Sequence, residues 1–313
     1  MDEAGKGFLL KIRDGRRGNK KTEAPPSNAP FDIVAAFQGK DFTPPPSSNL
    51  ASGMSALLQS NDCGSPEFYN SIRERRPDGY IVGVGAGAIF SLVECFDKEK
   101  PPKGIVIADV KPRVVLFSRF LIDKLARSES FGEFRNNFFQ LTDEEYRAQI
   151  DIFLQQQEGG DIYKPLTENS FTFIDVDKGV TPRHLWRSYE DRKGGIGPFH
   201  PHDEVQPIDV LQDNYDLLHQ LALQNRITAV YSDISDESFI KTVKHLPDFK
   251  KATNIVYISN VADFMHHISD RDKRAKQFNK LKAFSGIGRR TIFVDAAKGI
   301  KLRLKAYDSL PVI

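Results

Sequence analysis

Residues 80–90 read YIVGVGAGAIF: a short apolar run, glycines at 83, 85 and 87, then apolar residues again. Tyr80 to Val84 is predicted as a buried strand, the glycines as a turn, and the residues from about Ala88 as a helix. The next apolar segment, KGIVIADV, reads as a second strand ending at Asp109. Glycine at a strand-to-helix turn lets the backbone approach a ligand, the helix start offers unpaired N–H groups, and a carboxylate ending the second strand can accept bonds from ribose hydroxyls. Strand, turn, helix, strand and acid in that order form the pattern of a nucleotide site. The same glycines have a plainer reading, in which they permit tight packing of helix on strand and Asp109 caps the helix that follows it.

With 313 residues, 40% of them hydrophobic, the chain can bury a sizeable core, which excludes disorder of the whole. Its longest apolar stretch, GYIVGVGAGAIFSLVECF at 79–96, contains glycines, a Ser and a Glu, too interrupted for a membrane span. The first residues lack a signal-peptide pattern, and Cys63 and Cys95 make neither a disulfide framework nor a zinc site, so a cytoplasmic setting and no metal are expected. The net charge of +2 is the near cancellation of 44 basic and 42 acidic residues, so any basic surface is local. One such stretch is KIRDGRRGNKK at 11–21, followed by TEAPPSNAP and TPPPSSN. Residues 1–56 therefore read as a flexible basic leader, either a solubilising tail or a weak contact for nucleic acid, ahead of one domain at 57–313. A second basic stretch, around SDRDKRAKQFNKLKAF, has Phe264, Ile268, Ala275, Phe278, Leu281 and Phe284 at roughly helical spacing, the pattern of a surface helix.

Three later segments extend the pattern. NRITAVYSDIS is a strand leading to Asp233, TNIVYISNVADFM a strand ending at Ser259 and Asn260, and RRTIFVDA with IKLRLKAY an antiparallel hairpin turning at Lys298 and Gly299. GVGAGA satisfies the dinucleotide pattern G-x-G-x-x-A. It is also similar to the glycine loop of class I S-adenosylmethionine-dependent methyltransferases, whose fold carries a terminal hairpin in an otherwise parallel sheet. The segments from PDGYIVGVGAGAIF through LLHQLALQNRITAVYSDISD to IVYISNVADFM further resemble an uncharacterised bacterial family of methyltransferase-like proteins, over roughly residues 60–285 and least over 150–205. The resemblance implies a Rossmann-like, doubly wound α/β domain with a mainly parallel sheet, a C-terminal antiparallel hairpin and a helical insertion. It implies S-adenosylmethionine as cofactor, with Gly83 and Gly85 in the loop, Asp109 on ribose, Asp233 near adenine, and Ser259 with Asn260 at the mouth; Gly87, the third glycine of the turn, is a further cofactor-binding candidate. The sequence departs from it at one point: where active methyltransferases usually carry an acid before the loop, Ile81 or Gly83 stands here.

Upstream, SPEFYNSIR reads as a helix capped by Ser65 with Pro66 at its first position. Glu67 and Tyr69 on it either close over the ligand, as the resemblance implies, or pack on the sheet edge. The insertion at about 128–215 is the candidate for substrate selection, since long loops are commonly lids or binding loops. Within it RHLWRSYEDRKGGIGPFHPHDE holds His184, Trp186, Tyr189, a hinge at Gly194, Gly195 and Gly197, and the pair His200 and His202. The two histidines, with Asn260, are the candidate catalytic residues. Either histidine suits a general base, and with Asp203 or Glu204 the pair has metal-ligating chemistry, though both also read as ordinary loop residues. Trp186 and Tyr189 are expected in a ligand-dependent lid. His266 and His267 follow the fourth strand, with at most one able to face the mouth. Three functions fit: an S-adenosylmethionine-dependent methyltransferase acting on an unidentified acceptor, an NAD-binding oxidoreductase, or a degenerate methyltransferase fold acting as an interaction or sensor protein.

Overall fold

Strands that are apolar at every position are buried on both faces, as a parallel sheet demands. In the computed structural model β1 (Tyr80–Gly83), β2 (Gly104–Asp109), β3 (Ile227–Tyr231), β4 (Asn254–Ser259) and β5 (Thr291–Ala297) form a parallel sheet in the order β3-β2-β1-β4-β5. A last strand, β6 (Lys301–Lys305), pairs antiparallel with β5, Phe293 opposite Lys305. The structure describes residues 31–40, 65–85, 87–110, 112–156, 182–193, 207–259, 291–297 and 301–305, with the single positions 272 and 279. The protein is thus a mixed α/β chain built on a five-stranded parallel sheet. Among the described residues no helix is long and apolar enough to cross a membrane.

Side chains alternate along each strand, so two cores form. Ile81, Ile105, Ile107, Ala229, Ile255, Tyr257 and Val294 face one core, and Tyr80, Val82, Val106, Val230, Val256, Ile258 and Phe293 face the other. The first face is covered by α2 (Pro66–Arg73), α3 (Gly87–Ser91) with a 3-10 turn at Leu92–Cys95, α4 (Pro112–Arg127), α5 (Phe131–Phe134) running into a π turn at Arg135–Phe139, and four further helices: α6 (Asp143–Gln156), α7 (Pro182–Lys193), α8 (Pro207–Asp213) and α9 (Tyr215–Leu223). The described residues of the 128–215 stretch are largely helical and supply core. Ser65 caps α2 through the Phe68 amide, with Pro66 at the first helical position.

The second face, among the described residues, is closed by α10 (Glu237–Lys244) and by a helix where a leader was expected. Residues 31–40 do not belong to a flexible tail: α1 (Ile33–Phe37) is capped by Asp32 and buries Ile33 and Phe37. Phe37 meets Phe239 at 5.9 Å between ring centroids. The Ile33 amide donates to the Asn225 carbonyl at 2.9 Å, and Ile33 Cδ1 occupies the space that a side chain on Gly104 would need. The remaining residues of the expected leader lie outside those described. Strand β3 is an edge strand, and Arg119 on α4 covers it by donating Nε to the Ala229 carbonyl at 2.8 Å.

Trp186 and Tyr189 also correct an expectation. Neither waits on a mobile lid: both lie in the first core, Trp186 against Phe139 at 5.1 Å and Tyr189 at 5.3 Å, and the Tyr189 hydroxyl bonds Asp209. An apolar face opposite Phe131 and Phe139 was available to them, and burying large aromatic rings outweighs leaving them for a lid. The hinge glycines 194, 195 and 197 lie outside the described residues.

Candidate functional site

In a parallel sheet ordered 3-2-1-4-5, the strand order reverses between β1 and β4, and a crevice opens beyond the C-terminal ends of these strands. The glycine turn lies there. Gly83 answers to its neighbour strand: a Cβ on it would stand 2.6 Å from the Tyr257 carbonyl oxygen and 2.8 Å from Tyr257 Cβ. Its role is close packing of β1 on β4, and the Val84 amide completes the junction by donating to the Tyr257 carbonyl at 3.2 Å. Gly85 answers to the turn. Its φ of +71° lies in the left-handed region, and among the described residues nothing stands within 4 Å of where its Cβ would be. Of the two glycines, Gly85 is the one that faces open space.

Asp109 ends β2 beside this turn, half-buried, and its Oδ2 accepts the Gly85 amide at 3.2 Å. The carboxylate thus holds the left-handed turn in place from the adjacent strand. Across β3, Tyr231 pairs with Asp109 in register, and the Ser232 amide donates to the Asp109 carbonyl at 3.1 Å. Burial raises the ionisation of the Tyr231 phenol above its ordinary value. Asp233 follows at the same end, but its Oδ1 is committed to a local turn, taking the Ser235 amide and hydroxyl at 2.8 Å each. Ser259 reaches this end as well: the register between β4 and β5 shifts between Tyr257 and Ser259, which brings Ser259 opposite Asp295. Such bulges gather next to binding sites because they break strand pairing where a crevice must open. Nothing in the regular apolar sequence NIVYIS announces this one.

The structure therefore brings Gly83, Gly85, Gly87, Asp109, Asp233 and Ser259 to one end of the sheet. Tyr69 sits elsewhere in its environment: it is 2% exposed, inside the first core, and donates its hydroxyl to Ser91 at 2.9 Å. It braces α2 against α3. Glu94 does similar work beyond the loop, accepting Arg73 at 3.0 Å and Asn214 at 3.0 Å. Ile81, one of the two positions where the missing acid would stand, is fully buried. Cys95 is a buried free thiol, and burial pushes its ionisation far above the usual range, so it is no nucleophile. Asn260, His200, His202, His266 and His267 lie outside the described residues, and among the described residues no three His, Cys, Asp or Glu side chains gather as metal ligands.

Fold and site together define a mixed α/β protein whose glycine turn and strand-end carboxylate meet at the switch point of a parallel sheet. The chain belongs to the family described as a domain of unknown function, DUF7790, whose model matches residues 58–283. That match covers β1 to β4 and begins after α1. A search of curated proteins finds no match to the chain.

Proposed function

We propose that the chain binds S-adenosylmethionine in the crevice at the C-terminal ends of β1, β2 and β4 and transfers its methyl group to an acceptor. The observation that carries this reading is the bond from the Gly85 amide to Asp109, which fixes a left-handed turn beneath open space with a half-exposed carboxylate alongside. These residues fit the group: Asp109 would hold the ribose hydroxyls, Gly85 would admit the cofactor against bare backbone, and Ser259 with Asn260 would line the mouth. Bound there, the sulfonium supplies an electrophilic methyl for in-line displacement. The protein's part is then to orient the acceptor and exclude water, with His200 or His202 as base where the acceptor must lose a proton.

An NAD-binding oxidoreductase is less well supported. A dinucleotide places its pyrophosphate on a helix N-terminus, and α3 is only five residues long before it tightens to a 3-10 turn. The antiparallel β6, next to β5, also suits a Rossmann-like methyltransferase sheet better than an all-parallel dinucleotide domain. A second reading keeps the cofactor and drops the reaction, as an interaction or sensor protein. The residue before the loop favours it, because neither Ile81 nor Gly83 supplies a carboxylate for the methionine amino group. The buried free thiol of Cys95 goes with a reducing, cytoplasmic setting for either.

Calorimetry of the full chain against S-adenosylhomocysteine, S-adenosylmethionine and NAD tests the reading. Binding of the first two and not the third supports it, and Asp109→Ala is expected to weaken that binding by about 1.5 to 3 kcal/mol through loss of charge-assisted bonds. NAD binding alone, or an affinity indifferent to Asp109, would sink it. Binding without methyl transfer to any cell-extract acceptor selects the second reading.

A further inference from the structure

At the opposite end of the sheet, three turns pass through the left-handed region at residues other than glycine: Arg76 (φ 52°), Asn225 (φ 54°) and Asp248 (φ 57°). Asn and Asp tolerate this conformation through short polar side chains, whereas arginine there only costs stability that glycine would not. An outlier of this kind points to use of the side chain itself. Arg76 is exposed, and so is Arg75 beside it.

Their turn is clamped to the one before β4. The Thr253 amide donates to Asp78 Oδ1 at 2.7 Å, and the Asp78 and Gly79 amides donate back to the Thr253 carbonyl at 3.2 and 3.1 Å. Lys250 and Lys251, both exposed, precede Thr253 on the far side of that clamp. Two of the neighbouring carboxylates are engaged, while Glu74, exposed, stands next to Arg75 in sequence. Asp78 holds the Thr253 amide, while Asp248 takes Lys103 at 3.0 Å and Lys251 at 3.9 Å. Arg75, Arg76 and Lys250 have no carboxylate partner among the described residues. At this end too α1 is bonded to Asn225, and the six Lys and Arg of residues 11–21 precede it in sequence.

We propose that the two clamped turns form a binding surface for a phosphodiester backbone, engaging a nucleic acid strand through Arg75, Arg76, Lys250 and Lys251. Guanidinium groups suit phosphate oxygens, and a surface made of backbone-clamped turns presents them without first ordering a loop. This surface lies away from the cofactor crevice and does not depend on it.

Fluorescence anisotropy of the full chain with a labelled single-stranded RNA and a labelled DNA duplex, each about 20 nucleotides long, at about 50 and 200 mM KCl, tests the proposal. At least one probe binds at the lower salt and weakens steeply at the higher, and comparison of the two says which nucleic acid is the source of the backbone. Arg75→Gln with Arg76→Gln and Lys250→Gln lowers affinity about tenfold or more and flattens the log-log salt slope by about two to three. Arg76→Gly separates recognition from folding: the melting temperature holds or rises, since glycine accepts this φ, while binding weakens. With Arg16, Arg17, Lys20 and Lys21 changed to Gln, the triple substitution still lowers affinity. The proposal is overturned if neither probe binds, if Arg76→Gly binds as the wild type does, or if the triple substitution has no effect once the 11–21 charges are gone.

Discussion

The two faces of the sheet are closed by very different means. One is buried under helices α2 to α9, with aromatic rings of Phe117, Phe120, Phe134, Phe138, Phe139 and Trp186 meeting at about 5 to 6 Å in a continuous nest. The other, among the described residues, rests on α10 and on α1, a helix of five residues. So short a helix has no stability of its own and exists only because Ile33 and Phe37 have somewhere to go. Gly104 makes that place. The difference teaches that a face's dependence on an element follows the share of its core that the element supplies, whatever the element's length.

Breaking the thin face should cost most. Ile33→Ala with Phe37→Ala removes two buried side chains from a small core, and a loss of at least about 4 kcal/mol is expected in denaturant unfolding. A loss under about 1 kcal/mol would mean that the face stays closed without α1. Next is the junction of β1 and β4: Gly83→Ala drives a Cβ into the Tyr257 backbone and should cost about 3 kcal/mol, whereas Gly85→Ala meets open space and pays only for its φ, about 1 kcal/mol. Equal costs would show that the two glycines do one job.

A smaller effect separates the faces by pH. Burial pushes the Tyr80 phenol, on the thin face, up to about 12 from an ordinary value of 10.0, so the folded state holds this proton more tightly than the unfolded one. Its contribution is complete below pH 10 and is lost as pH rises towards 12. Tyr80→Phe should flatten the alkaline loss of stability in melts across that window and leave the share of Tyr215, on the thick face, which also lies at about 12. If the slope is unchanged, Tyr80 is not held neutral by the fold. The smallest effect sharpens the thick face: with Trp186 already in the core, saturating S-adenosylhomocysteine should leave its emission maximum where it is, and a clear shift would restore a moving lid.

The strands were legible because each is a short apolar run whose type does not depend on its neighbours, and the Ser65 cap because capping is local. α1 was missed although its signals are present: Asp32 at the cap, with Ile33 and Phe37 one turn apart. Proline and serine on both sides hid them, and the decisive fact, a glycine notch at 104, is remote in sequence. The same remoteness hid a second constraint on the glycine turn. Nothing in the sequence places Tyr257 against Gly83, while Gly85 and Asp109 are neighbours through adjacent strands. Trp186 could have been a lid or a core residue on composition alone, and only the facing Phe131 and Phe139 decide it.

The bond between Tyr80 and Asn254 spans 174 positions, and it has a consequence for how the chain is made. Strand β1 is central, yet one of its two partners is β4, so during synthesis its edge at Ile81 to Gly83 stays bare until the ribosome has added everything up to Ile255 and beyond. At elongation rates near the top of the usual range that wait is on the order of 10 s, and several times longer at the slow end. Throughout it the nascent chain presents an apolar strand with unpaired amides, the form most prone to wrong pairing with other chains. Expression yield should therefore respond to translation speed and chaperone supply more sharply than the stability of the finished protein would suggest.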